Sequence, residues 1–255
     1  VTRPRRFGKS NFVQMLQAFF SGDKNLFRDT TIYKRGNTDY KNGTWKEYPV
    51  VYLNFGEIAD YGNKKPSAAL FQSNLYRNLG TIAKDQHLHN YCEDDGVTVL
   101  VDELHSKFGL PVVILIDEYD RPFSEILHKR PDGRITKREG SILRGMKDTV
   151  EKFFNAIKAV VEVGKVKLSF ITGVARLAFD SLPGSGPNNV VTLKDKYACM
   201  VGFTEDEIEK FLSPHIKEFA KTEDTTPEDI TEKLIKMYGG YVFSDTRKEK
   251  VMNPV

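Results

Sequence analysis

Near the start of the chain, Gly8-Lys9-Ser10 has the residue types and order of the second half of a phosphate-binding loop, G-x-x-x-x-G-K-[ST]. The amides around Gly8 can curl into a concave anion site, because glycine tolerates backbone conformations that a Cβ disfavours. Lys9 would reach the β- and γ-phosphates as a point charge, and the Ser10 hydroxyl would ligate Mg²⁺. The pattern places its first glycine at position 3, where this chain has Arg3. A basic helix entry on a solvated surface is the plainer alternative for the same residues. A second group follows the apolar run Val112–Ile116, which ends in Asp117 and Glu118. An acid at such a strand end holds Mg²⁺, usually through water. A neighbouring glutamate can act as general base on the attacking water. The alternative is a strand running into an exposed acidic turn. A third group is Thr172 and Arg176, after the apolar stretch that ends at Ile171. Thr172 could hydrogen-bond a γ-phosphate or water, or merely cap the strand. Arg176 could sense nucleotide or a neighbouring molecule, or form a surface ion pair.

Other residues have plainer roles. Tyr119 reads as a packing aromatic, and Asp120 as a structural anchor for Arg5, Arg6 or Arg121. His87, His89, His105, His128 and His215 form no ligand cluster, and His87 and His89 read as surface residues. The basic run 128–140 reads as a solvated loop, with contact to nucleic acid or a partner as the functional alternative. Cys92 and Cys199 match no metal spacing and read as reduced thiols.

The elements that must position these groups follow from periodicity and punctuation. After Ser10, Phe12, Val13, Leu16, Phe19 and Phe20 fall near one helical face, predicting a helix over 9–20 whose N-terminus aims its dipole at the phosphate site. Residues 21–48 read as loops with short irregular pieces. Residues 49–55, 111–120 and 166–174 read as strands, and 66–90, 96–107 and 139–163 as helices. NVVTLKD (189–195) is expected to form a short strand after a Gly/Pro/Asn loop at 181–189. Thr204 reads as the N-cap of one helix, and a Thr-Pro-Glu start opens another over about 227–238. The tail from Tyr238 onward reads as turns, with Gly239-Gly240 ending the preceding helix. Alternation of strands and helices argues for a mostly parallel sheet covered on both faces. The expected organisation is a nucleotide-binding core over 1–202 and a small helical lid with the start of a linker over 203–255.

The bulk composition sets limits. With 255 residues, 40% hydrophobic and 29% charged, the chain can bury a sizeable core. A net charge of +3 does not by itself imply nucleic-acid binding. No apolar run approaches a membrane span, so no membrane partner is expected. The chain starts with Val at what reads as the end of a strand, so it is expected to be a fragment whose targeting segment cannot be assessed. An intracellular, cytoplasmic location is the expectation.

Taken together, TRPRRFGKS (2–10), YPVVYLNF (48–55), VILIDEYDRP (113–122), FITGVARLAF (170–179), GFTEDEIEKF (202–211) and YGGYVFS followed by MNPV resemble the AAA-ATPase-like family of bacteria and microbial eukaryotes. That family looks similar to the archaeal-type ATPases of the additional-strand, catalytic-glutamate branch of P-loop NTPases. The resemblance implies an α/β P-loop NTPase fold with a mostly parallel central sheet flanked by helices and a small C-terminal helical lid. It implies ATP and Mg²⁺ as ligands, with Arg5, Arg6, Phe7, Gly8, Lys9 and Ser10 at the phosphates, Ser10 and Asp117 at the metal, and Glu118, Thr172 and Arg176 in catalysis. It also implies that Arg3 is the family's own residue at the first-glycine position. Pro4 can supply part of the bend by fixing φ, and Arg5 and Arg6 can add donors. Members are often joined to a C-terminal nuclease-like domain of the PD-(D/E)XK type, which is how nucleic acid becomes a partner to consider; a homo-oligomer is also open. ATP hydrolysis coupled to such an effector is the expected function. Its rivals are a nucleotide-controlled switch, an interaction scaffold without turnover, and a nucleic-acid motor.

Overall fold

The computed structural model describes residues 1–34, 46–92, 94–127, 134–177, 190–246 and 248–254. In chain order, its elements are α1 (Lys9–Phe20), α2 (Thr31–Lys34), β1 (Val50–Asn54), α3 (Phe55–Ile58), α4 (Ala68–Asp85), α5 (Val97–Phe108), β2 (Val112–Asp117), α6 (Arg121–Leu127), α7 (Lys137–Glu162), β3 (Val166–Ile171), α8 (Glu205–Thr222), α9 (Pro227–Tyr238), β4 (Tyr241–Val242) and β5 (Lys250–Val251). Contacts divide the chain into two units, Val13–Asn188 and Val1–Phe12 with Asn189–Val255. The sequence expectation drew its boundary at 202/203.

The larger unit is built on a parallel sheet in the order β1-β2-β3. Every residue of β2 is buried, as expected for a central strand covered on both faces. The period of two sorts its side chains. On one face, Val51, Leu53, Ile114 and Ile116 join the core formed with α4, α5 and α7, including Phe71, Leu75, Leu100, Leu104, Phe154 and Ile157. On the other, Val113 and Leu115 pack with Val13 of α1, flanked by Leu16, Phe20, Tyr52, Leu168 and Phe170. The helix spacing read over 9–20 thus supplies one cover of the sheet. Helix ends are fixed locally. Ser67 Oγ accepts from Leu70 N at 3.1 Å, and Thr136 and Glu139 form a capping box at the start of α7.

Register decides what meets at the carboxyl end of the sheet. Asn54 pairs with Asp117, and Ile116 with Ile171. Thr172 N then donates to Ile116 O at 2.8 Å, and Tyr119 N to Thr172 O at 3.1 Å. Asn54, Asp117 and Thr172 therefore arrive side by side where open parallel sheets hold their ligands.

In the smaller unit, α8 and α9 form a helical pair, each opened by a capping box, Thr204 with Glu207 and Thr226 with Asp229. Ile208, Ile216, Ala220 and Ile230 close their shared core with Met252. Two local expectations differ from the structure. Over its described residues, NVVTLKD is a turn running into a 3₁₀ segment at Asp195–Tyr197, not a strand. Its polar groups make single hydrogen bonds that each involve one side chain rather than a ladder: Thr192 O accepts from Arg3 Nη1 at 2.6 Å, and Thr192 Oγ1 accepts from Thr2 N at 3.1 Å. The tail, read as turns, holds a short antiparallel hairpin of β4 and β5, extended by a bridge between Phe203 and Met252. Gly240, at φ 92°, reverses the chain after α9, so that Tyr241 can pair with Val251.

Gly202 sits at φ 89°, and a Cβ there would lie 2.9 Å from the Met252 carbonyl and 3.1 Å from the Phe7 ring. Backbone strain and a backbone clash act together. Gly202→Ala should lower stability by about 2 kcal/mol, read as an earlier midpoint in chemical denaturation; a midpoint equal to wild type would contradict this packing.

Candidate functional site

The residues read from the sequence as a candidate phosphate loop lie in the smaller unit. Arg6 at φ 66° and Gly8 at φ 77° are both left-handed. Such alternation curls successive N–H groups toward one concavity, an anion nest. The loop feeds directly into α1, whose first turn contains no acid to compete for an anion. Phe12 N donates to Gly8 O at 2.9 Å as the helix starts. Lys9 is 7% exposed, and its Nζ donates to Arg3 O at 3.0 Å and Pro4 O at 2.7 Å. Its ammonium is thus engaged with the carbonyls of its own loop. Arg5 and Arg6 are exposed. Phe7 is fully buried, edge-on to Tyr241 at 4.8 Å and Phe243 at 5.2 Å. Only its amide is available to a ligand, while its ring anchors the loop.

At the position of the pattern's first glycine stands Arg3, a buried side chain with several partners. The side chain is 1% exposed. Its Nη1 donates to Thr2 O and Thr192 O, and its Nη2 to Tyr197 O at 3.1 Å. Its guanidinium carbon lies 4.1 Å over the Phe243 ring. Burial lowers its pKa to about 10, so it stays charged at neutral pH. The position is a rigid hub gathering carbonyls, not a flexible turn.

The acids lie in the larger unit. Asp117 is 0% exposed. Its Oδ1 accepts from the Thr172 hydroxyl and, at 2.9 Å, from Glu118 N. Its Oδ2 is buried with no hydrogen-bond partner. A buried carboxylate oxygen without a partner is costly, and the shortfall is of the kind a cation corrects. Thr172, expected to face phosphate or water, here spends its hydroxyl on Asp117. Glu118 adopts φ 53°, uncommon for a residue with a Cβ. This left-handed step turns the chain out of β2, and Glu118 O accepts from Arg121 N at 2.8 Å as α6 begins. Nearby, burial raises the Tyr52 phenol's pKa, and the charges of Asp117, Glu57 and Glu118 raise it further. The end of the sheet is therefore electronegative. Among the described residues no group of three or more His, Cys, Asp or Glu could hold a metal alone.

Tyr119 and Asp120 serve a different purpose. Asp120 accepts from Val174 N at 3.0 Å and Ala175 N at 2.9 Å, so its carboxylate anchors the segment after β3 through backbone amides. Tyr119 is buried, donates its hydroxyl to Ala175 O at 2.8 Å and accepts from Leu177 N at 3.0 Å. Burial is the main cause of its raised pKa. Gly173 permits this close approach: a Cβ there would lie 2.5 Å from Asp120 Oδ1 and 2.6 Å from Tyr119 Cδ1. Arg176 is exposed on the segment so clamped. Sequence reading missed Gly173, Tyr52 and Asn54. The available signal for Asn54 was a polar residue closing an apolar strand in the same way Asp117 does. Of the basic run 128–140, residues 128–133 lie outside the described residues, as does the loop 181–189. His87 and His89 are exposed, and neither Cys92 nor Cys199 is in a disulfide. Tyr119→Phe should leave Ala175 O and Leu177 N short of a partner and cost about 1–2 kcal/mol, measurable by denaturant titration; an unchanged midpoint would count against the clamp.

Comparison with known proteins covers both groups of residues. A family profile described as Predicted AAA-ATPase matches residues 1–183. The chain is also 28% identical over 220 residues to a protein of Azotobacter chroococcum mcd 1 described as "Uncharacterized protein in vnfD 5'region". That alignment takes in 85% of this chain and 38% of the relative, so the chain spans well under half of the relative's length. No solved structure matches. No helix among the described residues is long and apolar enough to cross a membrane. Because the profile takes in the Gly8-Lys9-Ser10 segment and the whole parallel sheet, more than half of the chain, the protein belongs to the Predicted AAA-ATPase family.

Proposed function

We propose that this domain is a P-loop NTPase that binds ATP with Mg²⁺ and hydrolyses it. The observation that carries the reading is the buried, unpartnered Oδ2 of Asp117 at the carboxyl end of a parallel sheet, next to a glutamate in a strained conformation. Family membership adds that an ATPase-like domain is the general class. Amides of residues 6–10 and the Lys9 ammonium would hold the phosphates, with Arg5 and Arg6 as further donors. Asp117 and the Ser10 hydroxyl would hold Mg²⁺, which would neutralise phosphate oxygens. Glu118 would orient water and accept its proton as the water oxygen bonds to the γ-phosphorus and the bridging bond to ADP breaks. Thr172 would fix Asp117 through the hydroxyl bond already present, and Arg176 would act from its exposed position on charge outside the buried acids. In family members joined to a nuclease-like domain, such turnover would be coupled to that effector.

A second reading, a nucleotide-controlled switch with negligible turnover, is favoured by one feature. The Lys9 ammonium is engaged by two carbonyls of its own loop, so a phosphate must replace those bonds. A phosphate-bound loop would then differ from this one, and a switch would act on that difference.

Calorimetric titration with ATP, with and without Mg²⁺, and phosphate release under the same conditions separate the readings. Wild type should bind ATP more tightly with Mg²⁺ and release phosphate; tight binding without release would establish the switch. Lys9→Ala should abolish detectable binding. Glu118→Gln should bind ATP with the wild-type Kd and lose about a hundredfold or more in kcat. Wild-type turnover in Glu118→Gln would remove Glu118 as the base.

A further inference from the structure

The turn after β1 contains a glycine whose lack of a side chain is used by Glu118. Gly56 is the second residue of α3, in ordinary right-handed backbone that any residue could adopt. A Cβ built on it would lie 2.1 Å from Glu118 Oε2, 3.3 Å from Glu118 Cδ and 3.0 Å from Asn54 Oδ1. The carboxylate of Glu118 thus rests in the space that any other residue at 56 would fill. The Asn54 amide group keeps this turn in place. Its Oδ1 accepts from Gly56 N at 2.8 Å, and its Nδ2 donates to Glu57 Oε1 at 3.3 Å. Register sets Asn54 directly beside Asp117, so the turn after β1 begins level with the exit from β2, where Glu118 lies. Helix propensity gives no reason for glycine here, since alanine is favoured by up to about 1 kcal/mol in such backbone.

We propose that Gly56 is a positioning residue for Glu118: its bare Cα is the seat of the carboxylate, and the Asn54-held turn sets the height of that seat above the sheet. This rests on the reading of Glu118 as the base that activates water. A side chain at 56 would push the Glu118 carboxylate off this seat, and a displacement of about 1 Å can cost a well-placed general base about tenfold to a hundredfold in rate.

Gly56→Ala tests this without threatening the fold, because the only atoms in severe overlap are the far end of a flexible side chain. The thermal midpoint should hold or rise, ATP affinity by calorimetry should stay within about twofold of wild type, and kcat should fall about tenfold or more. Shortening the base should relieve the overlap, so Glu118→Asp should cost Gly56→Ala less in kcat than it costs wild type. The contact has its own readout: the gain in thermal midpoint from Gly56→Ala should be larger in a Glu118→Ala background than in wild type. Undiminished kcat in Gly56→Ala, with wild type turning over ATP, overturns the positioning role and leaves the base assignment standing. Additive thermal midpoints for the pair show that the two residues do not touch and overturn it equally. Absence of ATP turnover in wild type, or full turnover in Glu118→Gln, removes the base itself and the positioning role with it.

Discussion

The arrangement of the larger unit depends on one electrostatic constraint: a carboxylate is buried at the end of an apolar strand. Asp117 has no solvent exposure, and only one of its oxygens is hydrogen-bonded. Such a group is unfavourable unless something nearby repays its desolvation. The fold supplies part of the compensation through the Thr172 hydroxyl and the Glu118 amide. Both donors depend on parallel pairing. Thr172 reaches Asp117 because β3 is in register with β2, and the Glu118 amide reaches it because the chain turns left-handed immediately after the strand. The remaining oxygen is where a metal–nucleotide complex would add what the protein leaves out.

From this constraint follows a division of labour within Asp117-Glu118-Tyr119-Asp120. The first two residues form the candidate chemical pair. The next two fasten the segment after β3 through the amides of Val174, Ala175 and Leu177 and the carbonyl of Ala175. Gly173 lets that segment approach closely enough for these bonds to form. Four consecutive polar or amphipathic residues thus serve two functions, one at the acids and one in holding the neighbouring loop rigid. Rigidity matters there because Thr172, which touches Asp117, is the residue immediately before the clamped stretch.

The smaller unit solves a different problem with the opposite charge. Its loop begins on a buried arginine rather than a glycine, and the guanidinium collects carbonyls that the surrounding irregular chain cannot pair among themselves. Planar, multi-donor geometry suits this task, and stacking over Phe243 covers the apolar face of the group. The start of the loop is pinned by Arg3 and its middle by the Phe7 ring, and the left-handed backbone falls on either side of that ring, at Arg6 and Gly8.

Much of this protein was legible in its residues taken in order. Apolar runs and helical spacing dictated the three strands and most helices, because burial of one face or two imposes those periods whatever the neighbours are. Thr204 and Thr226 marked helix starts because capping is local. Asp117 and Glu118 stood out because two acids are a poor choice after a buried apolar run unless the strand end faces a cation or solvent, and Lys9 because of its place in Gly8-Lys9-Ser10. What only tertiary structure decided was every property set by register or by a distant partner: the meeting of Thr172 with Asp117, the seat that Gly56 leaves for Glu118, the carbonyls gathered by Arg3, and the hairpin that closes the tail. These depend on which residues lie opposite one another across strands and turns, and hydrogen bonding at such short range is settled by three-dimensional placement that no one-dimensional spacing encodes.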